Sequence, residues 1–505
     1  MIVYNINLGI GWASSGVEYA QAYRAQLLRR KGIKTKFIFT DFFGQDNISD
    51  MTRNIGFKDE EVIWLYTFFT DQKVAPTTYT LDQLRQDVTG TITREERDGK
   101  IVRFFYEEQN FFLTAYLCQE DKDIVHHVEY VSSGNLIRKD FFTYMRSFSE
   151  YYTPRDSRGH LYLRRFFNED GSVAYEEVID GNKSVYRMPD AVISSKEEWI
   201  AYFMKKLHLT SKDIIILDRV TGTGQAVFAN KDPARLGVVI HAEHYSLNQV
   251  TDQTILWNNY YDYQFVHADC VDFFITSTKR QKEVLEEQFE KYVGKVPRIV
   301  DIPVGSIDDV RRAEKRRPYS IITASRLATE KHVDWLTKAV VAAKKDLPEL
   351  TFDIYGSGGE HAKIEAIIKE HQAEDYIHLK GHHDLTEVYQ DYELYLTASK
   401  SEGFGLTLLE AIGAGLPLIG FDAPYGNQTF IQEGRNGYLL PFPTVEDEQE
   451  IVSQYRQAIR SFFSREDRHE MQEASYQVAS AFLTHEIEKK WVELVEEMVG
   501  DDSFI

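Results

Sequence analysis

The chain has 505 residues, 43% of them hydrophobic and 13% aromatic, too many for one ordinary core, so two or three domains are expected. A formal net charge of −21 argues against general binding to nucleic acid or an anionic membrane, whose phosphates an acidic average surface repels. Cys118 and Cys270 make neither a disulfide framework nor a paired metal motif, and neither a leader nor an uncharged run of membrane length is evident; a cytoplasmic setting is expected, with peripheral membrane contact left open.

In chain order, a buried strand is predicted over 2–8, then a loop punctuated by Gly9, Gly11 and Gly16, then a helix over 17–30. Strands over 36–40 and 61–66 make this the opening of a Rossmann-like unit. Between about 81 and 200 the texture changes to short aromatic and β-branched runs, at 101–106, 111–117, 125–131, 161–167, 173–178 and 184–186. Asp98-Gly99, Ser133-Gly134-Asn135, Asp170-Gly171 and Asp180-Gly181-Asn182 separate many of them as hairpin turns do. An antiparallel meander inserted in the first domain is predicted, its exposed aromatics recognising a polypeptide or partner protein; a stabilising appendage is the alternative. The α/β pattern resumes with a helix ending near His208 and strands over 214–217, 235–240, 273–276 and 299–303. Arg311, Arg312, Lys315, Arg316 and Arg317 then read as a solvated connection between domains, with lipid or partner contact as the alternative. A second Rossmann-like unit follows, with strands over 319–324, 350–355, 377–380, 394–397, 417–420 and 437–440. Ile487, Trp491, Leu494 and Val495 mark a terminal packing helix expected to cross back to the first domain. The predicted class is therefore α/β. A discontinuous domain of 1–80 and 201–310, an inserted β-meander of 81–200 and a domain of 311–505 are expected, the two Rossmann-like units facing a cleft.

The most informative stretch is Ser401-Glu402-Gly403-Phe404-Gly405-Leu406-Thr407-Leu408-Leu409-Glu410, after the apolar run Leu394-Tyr395-Leu396. It sets one carboxylate near the mouth of a parallel sheet and another in the first turns of the next helix. The glycines between them let backbone N–H groups approach an anion. Arg326 and Lys331 follow the first strand of the same unit and could converge on a diphosphate, one as a planar fork and the other as a point charge. Tyr355-Gly356-Ser357-Gly358-Gly359-Glu360 matches no nicotinamide or triphosphate fingerprint, and a turn shaped for close packing explains it nearly as well as ligand contact. Gly11-Trp12-Ala13-Ser14-Ser15-Gly16-Val17-Glu18 is likewise open between a pyrophosphate loop and a structural turn. His241 ends a strand and suits a sugar hydroxyl or carbonyl; His241-x-x-His244 lacks a third ligand, so metal is the weaker reading. Gly222, Thr223, Gly224 and Gln225 suit an acceptor-side loop, and no Gly-x-Ser-x-Gly elbow is present.

Arg326-x4-Lys331 with Glu402-x7-Glu410 resembles the signature of retaining glycosyltransferase family 4, which implies a GT-B fold and a nucleotide-diphosphate sugar donor. The opening Ile6-Asn7-Leu8-Gly9-Ile10-Gly11-Trp12, with Thr223-Gly224-Gln225-Ala226-Val227-Phe228 and Val239-Ile240-His241-Ala242-Glu243-His244-Tyr245, is similar to a narrower group. That group comprises the catalytic subunits that start O-glycosylation of bacterial serine-rich-repeat adhesins, and the resemblance covers the whole chain. It implies UDP-N-acetylglucosamine as donor and Ser/Thr hydroxyls of an unfolded repeat region as acceptors. It also implies a homologous, non-catalytic partner subunit in a hetero-oligomer, and export of the product by an accessory Sec pathway. By the same resemblance His241, Arg326, Lys331 and Glu402 are the catalytic group. The implied donor-binding set is Gly16, His241, Arg326, Lys331, Ser401, Glu402, Gly403, Phe404, Gly405, Leu406, Thr407 and Glu410, with Leu408 and Leu409 beside the nucleotide through their backbone. Within it Gly16 contacts a phosphate, Glu402 holds sugar hydroxyls, Glu410 fixes the ribose and His241 approaches the transferred sugar. No metal or other cofactor is expected, because Arg326 and Lys331 supply the counter-charge. The competing expectations are a transferase for a small-molecule or lipid acceptor and a non-catalytic partner or chaperone subunit; the presence of Arg326, Lys331, Glu402 and Glu410 opposes the second.

Overall fold

The structure, a computed structural model, describes residues 1–12, 15–106, 110–155, 158–443 and 447–500; Ala13 and Ser14 of the first glycine loop lie outside them. The chain forms two compact units, Met1–Gly237 with Met498–Ile505, and Val238–Glu497. The division falls inside strand Arg235–Ile240 rather than at residue 311, so His241 belongs to the second unit.

In the first unit the parallel strands Ile214–Leu217, Val3–Asn7, Thr35–Phe39 and Val62–Trp64 lie side by side in that order. Val3–Asn7 is buried at every position, as a strand covered on both faces must be. The insert is a ten-stranded antiparallel sheet running without crossover from Ile92–Asp98 to Val192–Ile193. Strands Ile92–Asp98, Asn135–Phe142, Arg146–Arg155 and Val192–Ile193 are additional to the predicted runs. Ile92–Asp98 is a charged edge strand, which discourages pairing with other chains and also hides it from a hydrophobic pattern. The two inner strands bury Asp140, Ser147, Ser149 and Glu150, so polar residues occupy core positions. Arg164 makes this tolerable by reaching Glu150 at 2.9 Å and Glu177 at 3.0 Å.

About half of the insert's aromatics are buried within the unit rather than exposed. Tyr116, His127, Phe141, Phe148, Phe166 and Tyr175, one from each of six consecutive strands, stack at centroid distances of 4.3, 5.5, 4.4, 5.6 and 4.4 Å. Cross-strand aromatic pairs of this kind lock register. The row meets the α/β part of the unit at Phe42, Tyr66 and Trp199, and the Tyr175 hydroxyl donates to the Tyr66 carbonyl at 2.6 Å.

The second unit contains a six-stranded parallel sheet in the order Ile377–Gly381, Thr351–Tyr355, Ser320–Ala324, Leu394–Leu396, Leu418–Phe421, Gly437–Leu440. Counted along the chain this is third, second, first, fourth, fifth, sixth, the doubly wound order whose direction reverses between the first and fourth strands. Ligands of such sheets bind where the strands end beside that reversal. Helix Thr484–Val499 buries Ile487, Trp491, Leu494 and Val495, and Lys490 reaches Asp301 at 2.5 Å.

Arg311, Arg312, Lys315 and Arg317 of the basic stretch are exposed as expected of a solvated connection, and Arg316 is the exception. Arg316 is enclosed by the second unit and donates to the carbonyls of Tyr392 at 2.7 Å and Ala414 at 2.5 Å. Arg317 pairs with Asp353 at 3.0 Å and lies over the Tyr392 ring, while Arg312 pairs with Glu473 at 2.5 Å. Guanidinium groups with five donors satisfy loop carbonyls that water would otherwise have to reach.

Candidate active site

Two loops leave the second unit's sheet on either side of the reversal, one carrying Arg326 and Lys331 and the other Ser401 to Gly405. Lys331 Nζ lies 2.6 Å from Glu402 Oε2, with side-chain exposures of 16% and 22%, so the structure joins two predicted residues that are 71 positions apart. Arg326 sits on the rim, 79% exposed, its guanidinium 3.2 Å from Glu330. The glycine loop after strand Thr351–Tyr355 proves to be the support of this segment. Gly356 and Gly358 have φ of 127° and 155°, and a Cβ on them would stand 1.8 Å from the Ser325 carbonyl oxygen and 2.4 Å from that of Leu327. Close backbone packing therefore explains these glycines.

Across the reversal, the Glu402 carbonyl accepts from the N–H groups of Tyr425 at 2.9 Å and Gly426 at 2.7 Å. Gly405, at φ 92°, opens helix Leu406–Gly413 without a capping side chain, a start suited to receiving an anion. Ser401 and Leu406 are exposed, Thr407 Oγ1 is held by the Tyr395 hydroxyl at 3.1 Å, and Phe404, Leu408 and Leu409 face the core. Glu410 Oε2 accepts from the Tyr389 hydroxyl at 3.0 Å. Desolvation raises the Glu410 carboxyl above its usual range although the side chain is exposed, as expected of a carboxylate in a recess open to solvent but ringed by protein.

His241 comes to the same place. Its N–H donates to the Tyr261 hydroxyl at 3.0 Å, and its carbonyl oxygen lies 2.9 Å from where a Cβ on Gly403 would stand. Burial pushes His244 down to about 4, keeping it neutral, and both its ring nitrogens have protein partners. Among the described residues no group of three or more His, Cys, Asp or Glu is placed to hold a metal ion. Tyr389, Tyr395, Tyr425 and Gly305 complete the surroundings and were not singled out by sequence reasoning. Gly305, where a Cβ would meet Leu406 Cδ2 at 2.1 Å, carried a signal in its place just after strand Ile299–Asp301.

Gly16 belongs to the first unit and is the first residue of helix Gly16–Arg30. Ser15 caps that helix and Glu18 closes the capping box. A Cβ on Gly11 or Gly16 would meet no atom within 4 Å, so packing demands neither glycine. Beneath lies a buried network: Asn7 donates to Glu18 at 3.0 Å and Gln21 at 3.1 Å, Gln21 to Asp218 at 2.7 Å, and Arg24 grips Asp218 with both nitrogens. The polar spacing 18, 21, 24 on one helix face was the overlooked sign.

Residues 307–478 match the family described as Glycosyl transferases group 1, and residues 94–190 match the GtfA extended beta-sheet domain. Over 505 residues, all of both chains, the sequence is 58% identical to the UDP-N-acetylglucosamine–peptide N-acetylglucosaminyltransferase GtfA subunit of Streptococcus gordonii. It is 56% identical to the GtfA subunit of Streptococcus pneumoniae serotype 4, over 99% of this chain and 100% of that one. Among solved structures, the pneumococcal O-GlcNAc transferase GtfA in complex with UDP and GlcNAc is 55% identical over 99% of each chain, with a TM-score of 0.89. A GtfA/B complex is 57% identical over 99% of this chain and 100% of that one, with a TM-score of 0.97.

Proposed function

The chain belongs to the family of GtfA subunits of UDP-N-acetylglucosamine–peptide N-acetylglucosaminyltransferase, and from that membership we propose that it transfers N-acetylglucosamine, with retention, to Ser/Thr hydroxyls of a serine-rich-repeat surface adhesin. This is the first step of the adhesin's O-glycosylation, and the chain works beside a homologous, non-catalytic GtfB-type subunit, as the GtfA/B complex supports. Both cysteines are free, in keeping with the cytoplasm, and no helix of the described residues is long and apolar enough to cross a membrane. In the basic stretch Arg312, Arg316 and Arg317 have partners within the protein.

The observation that carries the reading is the Lys331–Glu402 pair at the reversal point of a doubly wound sheet, beside an uncapped helix start. In the ground state Glu402 offers its second oxygen to sugar hydroxyls while Lys331 stands ready for the diphosphate. When the bond from C1 to the β-phosphate oxygen breaks, negative charge grows on UDP and positive charge on the sugar. Lys331, Arg326 and the helix amides then interact more strongly with the leaving group than with the intact donor, which lowers the barrier. The acceptor hydroxyl attacks from the face that UDP leaves, and its proton passes to the departing phosphate oxygen. Retention then requires no protein nucleophile. Counter-charge comes from side chains, and no metal is assigned a role.

The test is transfer from radiolabelled UDP-N-acetylglucosamine to a Ser/Thr-rich polypeptide in the presence of the partner subunit. Lys331→Ala and Arg326→Ala are each expected to lower turnover by about 10²- to 10³-fold, as loss of a preorganised charge does, with unchanged circular dichroism. Unaltered turnover in both variants would remove the diphosphate role.

A further inference from the structure

His244 is fully buried, three residues beyond His241. Its Nε2 lies 2.8 Å from Gln288 Oε1 and its Nδ1 lies 3.2 Å from the Tyr425 hydroxyl. An amide oxygen can only accept, so Nε2 carries the proton, Nδ1 is the acceptor, and the Tyr425 hydroxyl donates to it. The two rings also stack at 5.8 Å with a 20° interplanar angle. Tyr425 in turn holds the Glu402 carbonyl through its own N–H at 2.9 Å and that of Gly426 at 2.7 Å, in an isolated parallel bridge. On the other side the His241 carbonyl rests against Gly403. The segment from His241 to His244 therefore meets the Glu402 segment directly at Gly403 and indirectly through Tyr425.

We propose that His244 and Tyr425 are a positioning pair that sets the Glu402 carboxylate, and through it Lys331, relative to His241 for sugar transfer; the proposal rests on the transferase reading above. With exposures of 0% and 2%, the two side chains cannot exchange each other for water. Removing the hydroxyl leaves Nδ1 unsatisfied and releases the turn at 425–426 that holds Glu402. Because Glu402 is bonded to Lys331 at 2.6 Å, a shift of one moves both.

The experiment uses the full chain with its partner subunit and the variants Tyr425→Phe and His244→Gln. Tyr425→Phe is expected to lower kcat by about 10- to 100-fold, the effect of roughly 1 Å of misplacement at a reacting centre. Because Lys331 moves with Glu402, the Kd of UDP by calorimetry should rise as well, but by a smaller factor than kcat falls, since Glu402 has no sugar to hold in UDP. Hydrogen exchange at the Tyr425 and Gly426 amides should accelerate. His244→Gln, whose amide can donate to Gln288 and accept from Tyr425, should recover most of the rate and protection. Transfer by Tyr425→Phe within twofold of the unaltered protein, or a lowered melting temperature of that variant with unchanged local exchange, overturns the proposal. If Tyr425→Phe does not fold, exchange and kcat in His244→Ala take its place under the same criteria, with His244→Gln as the conservative control. If the unaltered protein transfers no sugar, the transferase reading fails, while exchange at these amides still reports whether the pair holds Glu402.

Discussion

Gly16 and Gly403 are glycines for opposite physical reasons. At Gly403 a Cβ would press on the His241 carbonyl oxygen at 2.9 Å, so the protein's own backbone forbids a side chain. At Gly16 a Cβ would meet nothing within 4 Å, and the residue opens a helix without a positive φ. An empty approach that folding does not require fits a group brought by the substrate, such as a diphosphate oxygen at a helix start. Gly16→Ala is therefore expected to stabilise the chain slightly, by about 0.4–1 kcal/mol through the unfolded state, while raising the donor KM several-fold. Thermal unfolding and donor titration read the two effects separately, and an unchanged KM would return this loop to a purely structural role. The same reasoning separates Gly356 and Gly358, whose positive φ and carbonyl neighbours place them among structural glycines. Four glycines of similar appearance in the sequence thus divide by what their missing Cβ would touch.

Among the elements, the aromatic row of the insert has the largest consequence for stability. Phe166 is fully buried, 5.6 Å from Phe148, 4.4 Å from Tyr175 and 5.8 Å from Tyr66, so it belongs at once to the sheet and to the α/β core. Phe166→Ala is expected to cost about 3–5 kcal/mol, since rings on three sides cannot all collapse into the void. Urea denaturation of the full chain would measure this, and a loss under about 1 kcal/mol would mean that the row does not hold the insert in place. Sequence reasoning saw the hairpin turns at Asp98-Gly99, Ser133-Gly134, Asp170-Gly171 and Asp180-Gly181, because glycine in a tight turn is a local requirement. It did not see strands Asn135–Phe142 and Arg146–Arg155, because their buried Asp140 and Glu150 look like solvent-facing residues until Arg138 and Arg164 are known to pair with them. Nor could it say which aromatics pack inward, since period-two patterns do not tell which face meets another element.

For the molecule as a whole, a buried histidine in one unit and a half-buried one in the other tie stability to pH. Burial pushes His244 down to about 4 among Gln288, Tyr425, Tyr245, Trp257 and Phe265; burial, with His126 and Lys139 nearby, pushes His127 to about 3. Unfolded, each takes up its proton near 6.5, so between that value and the folded one the unfolded chain binds more protons and stability falls as pH falls. His244 alone accounts for about 3 kcal/mol over this window. Chemical denaturation at pH 7, 6 and 5 should show the decline, and His244→Gln should flatten it; a level profile would contradict the assigned burial. The sequence by itself determined the strands and helices of the two α/β parts and the loops that carry Arg326, Lys331, Glu402 and Glu410, because a strand, a glycine turn and a helix start are local choices of nearby residues. Only the tertiary structure decided which polar groups serve the site and which serve the fold. Arg316, Arg164 and Arg24 are structural, whereas Lys331 meets Glu402, because each role depends on a partner that distant parts of the chain bring within bonding distance.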